Sequence, residues 1–126
     1  MAVDNRCIVS KNCGDDIRDN REKKIIAEDP TMYIHIFAFR FKHGVTADQK
    51  NHCVTEIRKL KDEIKEVEES WVGLNISPRG QGYGLGGSMK FADAAAFERY
   101  NAHPVHQKLL GWLIPLIEPI EVDFPL

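Results

Sequence analysis

The sequence lacks the features of several common binding classes. Lysine and arginine total 17 against 19 acidic residues, giving a net charge of −2, and no stretch concentrates the basic side chains that contacts to several phosphates require. We therefore expect no nucleic-acid partner. No apolar run approaches the roughly 20 residues of a membrane-spanning helix, so we expect no membrane insertion either.

Cysteine is scarce as well. Cys7, Cys13 and Cys53 are an odd number and contain no Cys-x-x-Cys pair, which argues against a disulfide framework and against a structural zinc site. Cys53 falls on the apolar face of a predicted helix, where we expect it to be a small core residue. Free thiols and the lack of a signal-like apolar stretch at the N-terminus predict a cytoplasmic protein.

The composition of the 126-residue chain changes at about residue 31. Residues 1–31 mix acidic and basic side chains with few apolar ones and no sustained period, so we predict a polar, flexible extension. Residues 32–126 carry the periodic apolar patterns of one folded domain.

The first predicted strand, 33–42, is apolar on both faces. Ile34, Ile36 and Ala38 alternate with His35 and a row of aromatic residues, which is the period of two that a strand requires. Helices of a domain this small can cover only one side of its sheet. The second apolar side therefore predicts a homodimer.

The remaining patterns predict the element order βαββαβ. A capping box at Thr46 begins an apolar helical stripe, and strands are predicted at 70–76, 83–91 and 120–124. A second helical unit starts at Asp93 and is broken at His103–Pro104, because proline disfavours helix at the preceding residue. This order is typical of an α+β, ferredoxin-like fold, with an antiparallel sheet and helices on one face.

The segment Tyr100-Asn101-Ala102-His103-Pro104-Val105-His106 is the main candidate for chemistry. Imidazole titrates near neutrality and phenol can donate or accept a proton, so this segment beside an apolar cavity could perform acid–base catalysis without a cofactor. A structural role, with His103 ending a helix and His106 bonded in the core, is favoured by spacing alone. No third ligand is suitably placed, so we predict no metal site.

Two further features have structural alternatives. His35 lies on the aromatic face of the first strand, where a lone buried histidine is more often a satisfied core group than a catalyst. Gly82-x-Gly84-x-x-Gly87 matches a dinucleotide-binding pattern only formally, because a strand follows it where that pattern needs a helix. Gly87 either enlarges a cavity or marks a bulge.

Several separated segments resemble the stress-responsive dimeric α/β-barrel family. They span about residues 32–124 and include His35-Ile36-Phe37-Ala38-Phe39-Arg40-Phe41-Lys42, Gly44-Val45, Leu60-Lys61, Gly73-Leu74-Asn75-Ile76-Ser77, Gly82-Tyr83, Phe91, Tyr100, His103-Pro104-x-His106 and Val122-Asp123-Phe124. In this family two ferredoxin-like protomers pack their sheets face to face as a dimeric barrel. Members include stress-associated proteins of unclear activity, a hydroxynitrile lyase and olivetolic acid cyclase, which needs no cofactor.

The resemblance to the cyclase implies catalytic roles for three residues. His106 and Tyr100 match its catalytic histidine and tyrosine, and His35 matches a histidine of its first strand. Two positions depart from it: Leu85 replaces a further histidine, and Gly87 replaces a larger apolar residue. The substrate is therefore expected to differ.

These observations predict a cofactor-free cyclase or lyase acting on a small apolar, polyketide-like or aromatic carbonyl compound. His106 would be the general base, Tyr100 the proton donor and His35 an orienting group. The residues predicted to contact the substrate are Phe37, Phe39, Leu85, Gly87, Met89 and Trp112. The main alternative is a non-catalytic stress-response or ligand-binding dimer, and no sequence feature favours a third, a haem or quinone-type monooxygenase. A void shared by His106 and Tyr100 would favour catalysis, whereas a filled site with His106 bonded to backbone would favour the binding protein.

Overall fold

The computed structural model describes residues 32–126, and the predicted extension at residues 1–31 lies outside them. The elements are β1 (Tyr33–Phe41), α1 (Ala47–Glu63), β2 (Glu69–Leu74), β3 (Tyr83–Phe91), α2 (Ala94–Ala102), α3 (Pro104–Leu113) and β4 (Ile117–Pro125). A short 3₁₀ turn at Ile114–Leu116 joins α3 to β4. The predicted order and the broken second helical unit are confirmed.

The four strands form one antiparallel sheet in the order β2-β3-β1-β4. β1 lies between β3 and β4, so its residues from Tyr33 to Arg40 have a partner strand on both sides. Phe37 is opposite Gly87 and Glu121, and His35 is opposite Met89 and Asp123. The domain has the predicted α+β, ferredoxin-like fold.

The two apolar faces of β1 differ in exposure in the single chain. His35, Phe37 and Phe39 face the helices and are at most 7% exposed. The opposite face of the sheet is uncovered in the single chain, and we call it the open face. Its large apolar residues include Ile36, Trp71, Ile120 and Val122, which are 38–58% exposed.

Local signals in the sequence set the helix starts. The Gln49 N–H donates to Thr46 Oγ1 at 3.1 Å, and the Thr46 N–H donates to Gln49 Oε1 at 2.8 Å, which completes the predicted capping box. The Ala96 N–H donates to Asp93 Oδ1 at 2.8 Å and caps α2. Cys53 is fully buried in the core, as expected.

Several boundaries differ from the sequence-based expectation. β2, predicted at 70–76, spans Glu69–Leu74. β4 begins at Ile117 rather than at residue 120 and contains Pro119. Proline is tolerated there because β4 is an edge strand, where N–H groups on the outer side have no strand to pair with. Ile64 and Val67 continue the apolar stripe of α1, but they are buried in the connection to β2 after the helix has ended.

Within residues 32–126, no helix combines the length and apolarity that crossing a membrane would require.

Candidate active site

A cavity of about 60 Å³ lies between the covered face of β1 and the helices. One ordered water needs roughly 10–15 Å³ by the same measure, so the cavity has room for a few water-sized groups. Its lining is apolar except for His35, Tyr100, His106 and Glu121. The other lining residues are Phe37, Phe39, Ile57, Leu60, Leu109, Leu110, Leu113, Ile114, Ile117 and Pro119.

The break between α2 and α3 brings Tyr100 and His106 together. In one continuous helix, residues six apart are separated by about 120° around the axis and about 9 Å along it. Here the chain turns at His103, and the rings of Tyr100 and His106 have centroids 4.4 Å apart. The Val105 N–H donates to His103 Nδ1 at 3.1 Å, so His103 caps α3, which confirms its structural role. The break therefore places a phenol beside an imidazole.

The His106 ring is held by the end of α2. Its Nδ1 lies 3.1 Å from the carbonyl oxygen of Asn101, which also accepts from Gln107 Nε2 at 2.6 Å. A carbonyl oxygen can only accept, so Nδ1 carries the hydrogen in this bond, and Nε2 of the neutral ring keeps its lone pair. Nε2 is therefore the atom able to take a proton.

Burial lowers the pKa of His106 below its ordinary value, because the apolar surroundings disfavour the charged ring. The hydrogen bond to Asn101 and the negative charge of Glu121 oppose this shift, whereas the neighbouring His35 and His103 add to it. His106 is therefore neutral at physiological pH and available as a base.

Tyr100 is 3% exposed and packs against Phe91 and Phe97. Burial, with a smaller contribution from the negative charge of Glu121, raises the pKa of Tyr100. Its hydroxyl therefore stays protonated at physiological pH and is suited to donate a hydrogen bond or a proton.

His35 forms a pair with a residue that the sequence analysis did not assign to the site. Its Nδ1 lies 2.6 Å from Asp123 Oδ1, so the carboxylate fixes the ring and its tautomer. The sequence signal that could have pointed to Asp123 is the alternation of Glu121 and Asp123 with apolar residues in the last strand. It places both carboxylates on one face of β4, and the register between β4 and β1 makes this the face of His35.

The same region could hold a cation. His35, Glu121 and Asp123 each offer a ligand atom, and these atoms lie within 4.8 Å of one another. Imidazole and carboxylate suit several divalent transition metals. The nitrogen of His35 that faces Asp123 already shares a hydrogen with it, and metal binding at that atom would require the hydrogen to leave. The absence of a metal stays a prediction.

The structure brings together only some of the residues predicted to contact a substrate. Phe37 and Phe39 line the cavity with the three candidate catalytic residues. Leu85, Met89 and Gly87 lie in β3 and do not line it, and Trp112 stacks on His52 with ring centroids 5.0 Å apart. A Cβ atom at Gly87 would lie 2.4 Å from Cζ of Phe37, so the Phe37 ring fills the space that Gly87 leaves.

One protein-family model covers most of the chain. The model of the stress responsive A/B barrel domain, Dabb, matches residues 34–125. The chain belongs to the Dabb family. No curated protein matches the chain.

Solved structures similar to this Dabb chain include a Dabb family protein with a ferredoxin-like fold from Mesorhizobium loti. It is 30% identical with a TM-score of 0.64, over 74% of this chain and 94% of that one. A dimeric ferredoxin-like protein of unknown function from Thermobifida fusca is 24% identical with a TM-score of 0.69, over 82% and 97%. The hydroxynitrile lyase of Passiflora edulis is 18% identical with a TM-score of 0.71, over 77% and 94%. At these identities the last two establish the shared fold alone.

Proposed function

We propose that this Dabb protein is a cofactor-free enzyme that moves a proton to or from a small carbonyl compound or its adduct, as a lyase or cyclase does. The observation that carries the proposal is the pairing of Tyr100 with His106 in the wall of one cavity, with His106 held by the Asn101 carbonyl. The similarity in fold to a hydroxynitrile lyase is consistent with this class of reaction.

The two side chains have complementary parts in such a reaction. His106 Nε2 accepts a proton from the carbon beside a carbonyl group in a cyclase, or from the hydroxyl of a hydroxynitrile in a lyase. In the lyase reaction the carbon–carbon bond then breaks, its electron pair leaves with cyanide, and the imidazolium returns the proton to cyanide. The Tyr100 hydroxyl donates a hydrogen bond to the substrate oxygen and stabilises the charge that develops there.

The size of the cavity limits what part of a substrate reacts inside it. Pockets that hold drug-sized ligands measure about 300–1,000 Å³, far above the roughly 60 Å³ in this protomer. The reacting carbonyl and its nearest carbons fit, and a larger group would extend through the opening beside β4.

A non-catalytic, ligand-binding dimer is the second candidate. Two observations favour it: the cavity is small, and His106 is hydrogen-bonded to backbone. Against it, the bond uses Nδ1 alone, and His106 and Tyr100 line a common void.

Hydrogen–deuterium exchange provides a test that needs no knowledge of the natural substrate. The protein is incubated in D2O with small ketones such as acetone and butanone, and deuterium incorporation beside the carbonyl is followed by NMR. Cleavage of mandelonitrile and acetone cyanohydrin is measured in parallel. A chelator is present throughout, so that a contaminating metal does not contribute.

The variants separate catalysis from binding. His106→Ala should lower any activity by about 10²–10⁴-fold, and Tyr100→Phe should leave part of it. His43→Gln is the matched control, because His43 is exposed and lies outside the cavity lining. A folded His106→Ala protein with full activity would refute the mechanism. Ligand binding without exchange or cleavage would favour the second candidate.

We also propose that the protein is a homodimer through the open face. The exposed apolar side chains of Ile36, Trp71, Ile120 and Val122 form the supporting observation, and several similar structures are described as dimeric. Exposed apolar side chains gathered on one face of a sheet are typical of an interaction surface. The cytoplasmic location and the stress-response role stay predictions.

A further inference from the structure

The opening of the cavity lies along the edge strand β4. Residues deep in the lining are almost fully buried, as with Leu113 at 2% and Tyr100 at 3% exposure. Glu121 and Pro119 of β4 and Ile114 before it also line the cavity, and these three are exposed. A molecule entering the cavity therefore passes Glu121.

In the part of the chain that the structure describes, two carboxylates and no lysine or arginine lie at this opening. Asp123 and Glu121 stand two residues apart on the same face of β4, and Asp123 is engaged by His35 at 2.6 Å. None of the residues lining the cavity is a lysine or arginine. Within residues 32–126, no basic side chain forms an ion pair with Glu121.

We infer that Glu121 is a specificity-determining residue, which makes the cavity accept neutral or cationic small molecules and reject carboxylates. The inference rests on the proposed function in one respect only, that the cavity is the ligand site. A carboxylate in the cavity would lie beside Glu121 with no lysine or arginine in the lining to offset the repulsion, and apolar walls weaken screening by water. A neutral carbonyl compound meets no such barrier, and an amidinium group would be attracted.

Three isosteric probes test the inference: isobutyrate, isobutyramide and isobutyramidinium. Their binding to the full chain is measured by NMR from the shift of the His106 Cε1–H signal, in the presence of a chelator. The wild-type protein should bind isobutyrate most weakly. In Glu121→Gln the preference for the amidinium over the carboxylate should fall by roughly threefold to tenfold, as expected for loss of one nearby charge.

Glu98→Gln is the matched control, because Glu98 is exposed on α2 and does not line the cavity. It removes the same charge and should keep the wild-type preference. The inference is overturned if wild-type protein binds isobutyrate as well as isobutyramide, or if Glu121→Gln and Glu98→Gln give the same preference.

Two other outcomes separate this inference from the proposed function. If none of the three probes shifts the His106 signal, the cavity is not a ligand site, and the charge selection and the proposed function both fall. If the probes show the expected preference but no ketone exchanges and no hydroxynitrile is cleaved, the charge selection stands and the catalytic proposal falls.

Discussion

Replacing Gly87 by alanine should destabilise the domain through a conflict with Phe37. The new Cβ atom would lie 2.4 Å from Cζ and 2.7 Å from Cε2 of Phe37, and 3.0 Å from the backbone oxygen of Trp71. Such distances are well inside van der Waals contact, so the ring or the strand must move.

The Phe37 ring has little freedom to yield. It is 5% exposed and lies between two other rings, with centroids 5.4 Å away at Phe39 and 5.3 Å away at His35. Overpacking of this kind costs about 1–3 kcal/mol. For a domain of this size, 1 kcal/mol corresponds to roughly 4–8 °C in melting temperature, so we expect a decrease of about 5–20 °C.

Thermal and chemical denaturation followed by circular dichroism measure the effect, and Gly111→Ala is the control. An added Cβ at Gly111, which is exposed on α3 and away from the open face, meets nothing within 4 Å in the described structure, so this variant should be slightly stabilised. Phe37→Leu shortens the obstructing side chain and should partly rescue Gly87→Ala in a double-mutant cycle. Equal stabilities for the Gly87 and Gly111 variants, or no rescue, would refute the steric argument.

Three further outcomes are expected. Asp93→Ala removes the cap of α2 and should lower the free energy of unfolding by about 1 kcal/mol, measured by denaturant titration against Asp62→Ala on the exposed end of α1. The pKa of His106 is lower in the folded chain than its ordinary 6.5. Below pH 6.5 the unfolded chain therefore binds more protons than the folded chain, and the free energy of unfolding decreases as the pH decreases. His106→Gln should reduce this fall between pH 7 and pH 5, and identical pH profiles would contradict the assignment. Light scattering should give about twice the 14.4 kDa chain mass, Val122→Lys on the open face should shift it toward the monomer, and a monomeric wild type would rule out the dimer.

The fold could be predicted because its signals are local. The alternation in β1, the capping box at Thr46 and the cap at Asp93 each act within a few residues, and together they define the element order. The start of β4 was missed because Pro119 normally ends a strand, and the sequence does not show that β4 lies at the edge of the sheet.

The candidate site could be predicted only in part. Tyr100 and His106 are close in sequence, so their proximity was visible. The pairing of His35 with Asp123 depends on the register between two strands that are 88 positions apart, and spacing carries no information about register. Gly87 was misleading for the same reason, because only the register shows that the Phe37 ring lies opposite it and fills the space.

The break at His103 means that different parts of the fold position the acid–base pair and select the ligand. The turn at His103 and the hydrogen bond to Asn101 that set His106 beside Tyr100 lie within one short segment, whereas Phe37, Phe39 and the charged opening of the cavity belong to β1 and β4. Substitutions in those strands can therefore change which molecule is held without moving the acid–base pair. A protein with this arrangement can acquire new substrates through substitutions in its sheet while Tyr100 and His106 keep their positions at the break between α2 and α3.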